Sequence, residues 1–170
     1  MEQYIGVKRL NGKPMTLGEY NKFRGWNLPA DENGLDSGYL VEYLDGGKAN
    51  TEEYKGYVSW SPKDVFENSY RKCKNMTFGL AIEALKIGMK VARTGWNGKN
   101  MFVFYVPGSE VPIDELYGPA KDVAQFTGKD ESDSQIICGH IDMRAADGTI
   151  VIGWLASQTD MLAEDWVIVE

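Results

Sequence analysis

One histidine, two cysteines and no long apolar run occur in these 170 residues, and each shortage removes a class of function. With His140 alone, a histidine-based metal centre lacks its second imidazole. The apolar setting of that residue, Ile136-Ile137-Cys138-Gly139-His140-Ile141, suits a packed or edge-strand ring better than a ligand. Cys73 and Cys138 are too few for a disulfide framework and too far apart for a paired zinc motif, so both read as reduced thiols. No stretch approaches the ~18 consecutive apolar residues that a membrane span needs. Met1-Glu2-Gln3 opens no secretion signal, and the expectation is a soluble intracellular protein without a membrane partner. Positive charge is also short, 18 basic against 25 acidic side chains, which disfavours bulk nucleic-acid binding.

The imbalance is local. Residues 1–74 hold eleven side chains of each sign, so the whole net charge of −7 falls on residues 75–170. Yet the span from Ala84 to Ser109 contains Lys86, Lys90, Arg93 and Lys99 and no acid, so an anion site can exist on an acidic domain; a solvated helix end and strand face is the structural alternative. At the centre of that span lies Ala92-Arg93-Thr94-Gly95-Trp96-Asn97-Gly98-Lys99. Its glycines permit close backbone approach, Trp96 offers a stacking face, and Arg93 and Lys99 offer charge to a flat anionic ligand. No nucleophile, base or metal-ligand set accompanies it, so the vocabulary is one of binding, with no catalytic residue, metal or cofactor expected.

In chain order, Tyr4–Arg9 reads as a strand and Asn11-Gly12 as a turn. Thr16 and Glu19 have capping-box spacing ahead of Leu17, Tyr20 and Phe23, a helix stopped at Gly25. The run from Asn27 to Ser37 is turn-rich. Its Asp31–Asp36 stretch alternates acids and Asn around a glycine but lacks the closing glutamate of a calcium loop, which makes it an ordinary turn. Tyr39–Leu44 and Gly56–Trp60 read as strands, and Ser61-Pro62 as the cap and first position of a helix carrying Val65, Phe66 and Tyr70. The result is a β-α-β-β-α unit over residues 1–70, whose tyrosines and Trp60 alternate with polar residues as a half-buried sheet requires.

Residues 71–75, with Arg71-Lys72-Cys73-Lys74, suit a linker, and Thr77 caps a second start. Phe78, Ala81, Ile82 and Leu85 repeat at helical spacing before Gly88. Met89–Arg93 and Met101–Val106 read as strands joined by the central loop. Residues 109–135 form a polar excursion with one helical stretch between Pro119 and Gly128. Gln135–Arg144 pairs through Ala146-Asp147-Gly148 with Thr149–Trp154, Leu155–Leu162 is a polar loop or short helix, and Asp165–Val169 closes the sheet. The expected class is α+β, in two small domains of antiparallel sheet with one or two packed helices each.

Thr77-Phe78-Gly79, Val91 through Lys99, Val106-Pro107-Gly108-Ser109, His140-Ile141-Asp142-Met143 and Trp154 through Trp166 together resemble the second Thoeris anti-defence family over residues 76–170. The resemblance implies a phage protein, acting in the cytoplasm of the infected bacterium, that sequesters a nucleotide immune messenger, glycocyclic ADP-ribose, without cleaving it. It also implies a small α+β homotetramer with pockets between subunits, some members also taking cyclic dinucleotides of CBASS defence. Residues 1–70, with Lys13-Pro14-Met15-Thr16, Tyr39–Tyr43 and Tyr57–Pro62, resemble a module common in phage genomes and absent from short members of the family, as is much of the 109–135 excursion.

Under that implication Trp96 and Trp154 contact an adenine, Arg93 and Lys99 neutralise a diphosphate with help from the Gly95 and Gly98 amides, and Asn97, Ser157, Gln158 and Asp160 bond the base edge and ribose. Trp166, on a terminal strand, reads as core. Two other classes remain open: a phosphodiesterase-type enzyme, for which His140, Asp142, Asp160 and Asp165 make a poor acid–base set, and a phage structural or adaptor protein.

Overall fold

The computed structural model describes residues 1–3 and 7–170. It divides into two compact units, Met1–Arg71 and Lys72–Glu170.

In the first unit, strands β1 (Leu10–Pro14), β2 (Gly38–Tyr43) and β3 (Val58–Pro62) form an antiparallel sheet in that order. Helix α1 (Leu17–Arg24) starts where Thr16 and Glu19 cap each other reciprocally, and ends at Gly25, whose φ of 68° needs no β-carbon. Tyr20, Leu40 and Val58 make the core beneath it. Helix α2 (Lys63–Ser69) brings Phe66 onto Tyr39, ring centroids 4.1 Å apart.

Two expectations shift here. Of the strand expected over Tyr4–Arg9, residues 4–6 lie outside the described residues and 7–9 are not strand. The strand begins at Leu10 and takes in Asn11-Gly12, because Asn11 donates to the buried Glu42 carboxylate at 2.9 Å and Gly12 lies beneath the Phe66 ring. Ser61 does not cap α2 either. It stays in β3 opposite Tyr39, and Pro62 holds the N-cap position with no side-chain bond. The Asp31–Asp36 stretch is a turn in which the Asn33 side chain accepts from the Leu35 amide.

In the second unit, the Thr77 hydroxyl caps helix α3 (Phe78–Lys86), which ends before Gly88. Strands β4 (Lys90–Arg93) and β5 (Phe102–Val106) follow, then β6 (Ser109–Pro112), helix α4 (Pro119–Phe126) and β7 (Ser134–Ile137). The chain closes with β8 (His140–Arg144), β9 (Ile150–Val151), helix α5 (Gln158–Met161) and β10 (Trp166–Val169). The main sheet runs β10-β4-β5-β8-β9, wholly antiparallel. Its core residues Val91, Val103 and Trp166 pack with Met76, Ala81, Ala84 and Leu85 on the α3 side. Alternation along the strands sends Ala92, Phe102, Phe104, Val167 and Val169 to the opposite face.

The α+β class stands, but the excursion is more ordered than its polarity suggests. Gln135–Arg144 is two strands broken at Cys138-Gly139: β7 turns aside to pair with β6, and only β8 joins the main sheet. Between β6 and β7, Ile113, Leu116 and Ala124 make a third small core with Val111.

Candidate functional site

The loop from Thr94 to Met101 connects β4 to β5, and α5 with its flanks approaches it from the other end of the unit. The Ser157 hydroxyl accepts from the Asp160 amide while the Asp160 carboxylate accepts from the Ser157 amide, a capping box that holds α5 to a single turn. That turn delivers Asp160 to Arg93.

Arg93 is the hub of the arrangement. Its Nε donates to Asp165 at 2.8 Å and its Nη1 to Asp160 at 2.9 Å and to the Thr159 carbonyl at 3.3 Å. Asp165 also accepts from the Gly95 amide at 2.8 Å and from the Thr94 hydroxyl. The Trp96 indole N–H donates to Asp160 at 3.1 Å, and that of Trp166 to the Asp160 carbonyl at 3.0 Å. Burial pushes the Asp160 carboxyl up, but the bonds from Ser157, Arg93 and Trp96 outweigh it and hold the group at about 2. The Arg93 bond, with the Gly95 amide behind it, lowers Asp165 against a smaller opposing effect of burial; Asp165 and then Asp160 raise Arg93 in turn.

Three indoles meet above this network edge to face: Trp96 and Trp154 at 6.1 Å, Trp96 and Trp166 at 5.4 Å, Trp154 and Trp166 at 6.2 Å. Trp166 is fully buried, as its strand position predicts. Trp96 and Trp154 are half-buried and pack against the same core. Trp154 alone of the three makes no indole N–H bond among the described residues, so its polar edge remains available.

The structure therefore gathers Arg93, Trp96, Trp154, Ser157 and Asp160 tightly, and leaves Asn97 and Lys99 exposed on the β4–β5 loop and Gln158 exposed at the start of α5. That placement gives several of them partners within the protein. Arg93 faces two carboxylates, where a diphosphate partner was expected, and the Gly95 amide is already taken by Asp165. Gly98 serves packing, since a β-carbon there would strike Met101 and Ala146. Of the four cations in the acid-free span, Lys86 pairs with Glu83, Lys90 lies over the Phe102 ring at 5.4 Å, and Arg93 is matched twice. Lys99 makes no ion pair among the described residues.

Sequence reasoning missed Thr159 and Asp165 as partners of Arg93, because they stand some seventy positions away and only the β4–β10 pairing, Arg93 opposite Trp166, brings them near. Among the described residues no three or more His, Cys, Asp or Glu side chains gather as metal ligands. Also among them, no helix is long and apolar enough to cross a membrane. The first unit bears an open groove of about 440 Å³ lined by Lys13, Met15, Glu19, Lys22 and Phe23, with neither an indole nor a turn aimed into it.

Comparison with known proteins bears on the second unit. The family described as the Thoeris anti-defense 2-like domain matches residues 76–169. A relative from Bacillus phage SP01, named Thoeris anti-defense 2, is 40% identical over 94 residues, which make up 55% of this chain and 94% of the relative.

Proposed function

Because the chain belongs to the Thoeris anti-defense 2-like family through residues 76–169, we propose that it is a phage anti-defence protein that binds and sequesters a cyclic nucleotide immune messenger without cleaving it. The messenger is glycocyclic ADP-ribose, with the cyclic dinucleotides of CBASS as further ligands. The observation that carries this reading is Trp154, with no indole N–H bond among the described residues, 6.1 Å from Trp96, together with Asn97 and Lys99 exposed on the Trp96 loop and Gln158 exposed on α5. An adenine placed against these rings gains a stack worth about 1–3 kcal/mol, and Lys99 is the cation left for its phosphates.

The same geometry argues against hydrolysis. Asp160, which accepts from the Trp96 indole, and Asp165 are bonded to Arg93 and held ionised, which withdraws these two from proton transfer near neutral pH. Arg93 acts as the member that fixes the loop and α5 in register, so that the exposed side chains converge.

The site is completed by a second copy. Ile150, Ile152 and Leu155 are exposed in and just after β9, Leu155 at 89%, and Leu162 is exposed at the end of α5. A homotetramer buries such a surface and places Trp154 in a cleft between subunits.

One incubation separates the classes. The protein is mixed with glycocyclic ADP-ribose, freed of excess, denatured, and the supernatant chromatographed. Intact messenger supports a sponge; a new product means an enzyme; no retained nucleotide means a structural or adaptor protein. Sedimentation of the same sample reads the assembly state.

A further inference from the structure

Asp142 is the most deeply buried carboxylate of the second unit, 5% exposed on a β-strand, and nothing in the proposed binding reaction uses it. Its surroundings explain its place. Strands β8 and β9 pair Arg144 with Ile150 and Met143 with Val151, and the Ala145 amide bonds the Thr149 carbonyl. That register, continued, sets Gly153 opposite Ile141 and sends the Gly153 amide to the Ile141 carbonyl. The structure departs from it. The Ile141 carbonyl accepts from the Trp154 amide instead, at 2.7 Å, so two residues oppose one.

Gly153 is the extra residue, with a φ of 75° that favours glycine. Its displaced amide donates to Asp142 Oδ1 at 2.9 Å. His140 Nε2 stands 3.5 Å from the same oxygen. The bulge decides which way Trp154 looks, because side chains alternate along a strand and one inserted residue reverses every position after it. In the uninterrupted register Trp154 would face away from α3 with Ile150 and Ile152. With the bulge it takes the place opposite Ile141 and joins Trp96 and Trp166.

We propose that Asp142 is a positioning residue for Trp154: its buried carboxylate holds the bulge at Gly153 and so turns the indole into the aromatic cluster. As a statement about messenger affinity this rests on the function proposed above; as a statement about where Trp154 sits it stands independently.

Three indoles at edge-to-face contact give an exciton couplet in circular dichroism, and Trp154→Phe defines the part that Trp154 contributes. In Asp142→Ala the couplet should fall to the level of Trp154→Phe, and glycocyclic ADP-ribose should bind about tenfold more weakly, the loss of one stack. Asp142→Asn keeps an acceptor oxygen for the Gly153 amide, and should restore the couplet with an affinity within about threefold of wild type. If the alanine variant does not fold, hydrogen exchange of the Gly153 amide in the wild type decides alone: protection comparable to its β8 neighbours supports the clamp. A wild-type couplet in Asp142→Ala, or a Gly153 amide exchanging as an open loop does, overturns it. A wild type that binds no messenger overturns the proposed function and leaves the couplet result to judge the clamp.

Discussion

Replacing Asp160 by Asn tests whether the carboxylate hub holds the second unit together. The side chain is 13% exposed and accepts from Arg93, Trp96 and the Ser157 amide and hydroxyl. Holding its carboxyl at about 2 against an ordinary 3.8 corresponds to about 2 kcal/mol of stability, at ~1.4 kcal/mol per pH unit. Because the folded value lies below the unfolded one, that contribution is whole above about pH 4 and disappears as the pH falls through about 2. For a unit of this size, about 2 kcal/mol moves the melting temperature by about 10 °C. Asp160→Asn should therefore melt about 10 °C below wild type near neutrality. The gap should close between about pH 4 and 2, since the variant has no charge left to lose there. Thermal melts followed by tryptophan fluorescence across that range measure both. Equal melting temperatures at neutral pH, or a gap that persists unchanged into acid, would refute the reasoning.

The remaining predictions divide fold from binding. Lys99→Gln should weaken messenger binding several-fold with the melting temperature unchanged, while Arg93→Gln should lower the melting temperature first, because it strands two carboxylates; calorimetric titration and thermal melts on the same samples separate the two. Trp166→Ala should cost about 3–5 kcal/mol of stability in chemical denaturation, whereas Trp154→Ala should cost mainly affinity. A chain of residues 72–170 should fold and bind without the first unit, since it has its own core; a soluble fragment showing no messenger-dependent rise in melting temperature would sink that expectation.

What could be read from the residues was whatever depends on near neighbours. Helix α3 was legible because Thr77, the Phe78-Ala81-Leu85 spacing and Gly88 all point the same way. The capping box at Thr16 and Glu19 was visible for the same reason. Strand β7 was hidden, because Gln135 to Arg144 is one apolar-patterned run and the break at Cys138-Gly139 follows from pairing with β6, a partner twenty-five positions back. The site misled in a related way. The acid-free span from Ala84 to Ser109 is acid-free only along the chain; folding sets Asp160 and Asp165 against Arg93, so the cation that looked most open to phosphate is the best neutralised. Trp96, in a loop of glycines, offered a stacking face and was set with Trp154 on one ligand, but no local sign told that the core residue Trp166 would reach it.

The break at Cys138-Gly139 has an architectural meaning. Val106 at the end of β5 lies opposite His140 at the start of β8, so the main sheet needs no more there than a tight reversal of the chain. Residues 107–139 occupy the position of that reversal, carrying their own strands, helix and small core, and are pinched at the base where Gly108 and Gly139 leave no room for a β-carbon. Such an appendage can be shortened, exchanged or elaborated without disturbing the register of a single neighbouring strand, because lengthening a loop between fixed ends costs only logarithmically. It makes the appendage a place where chain length and sequence can change while β5 and β8 keep their pairing.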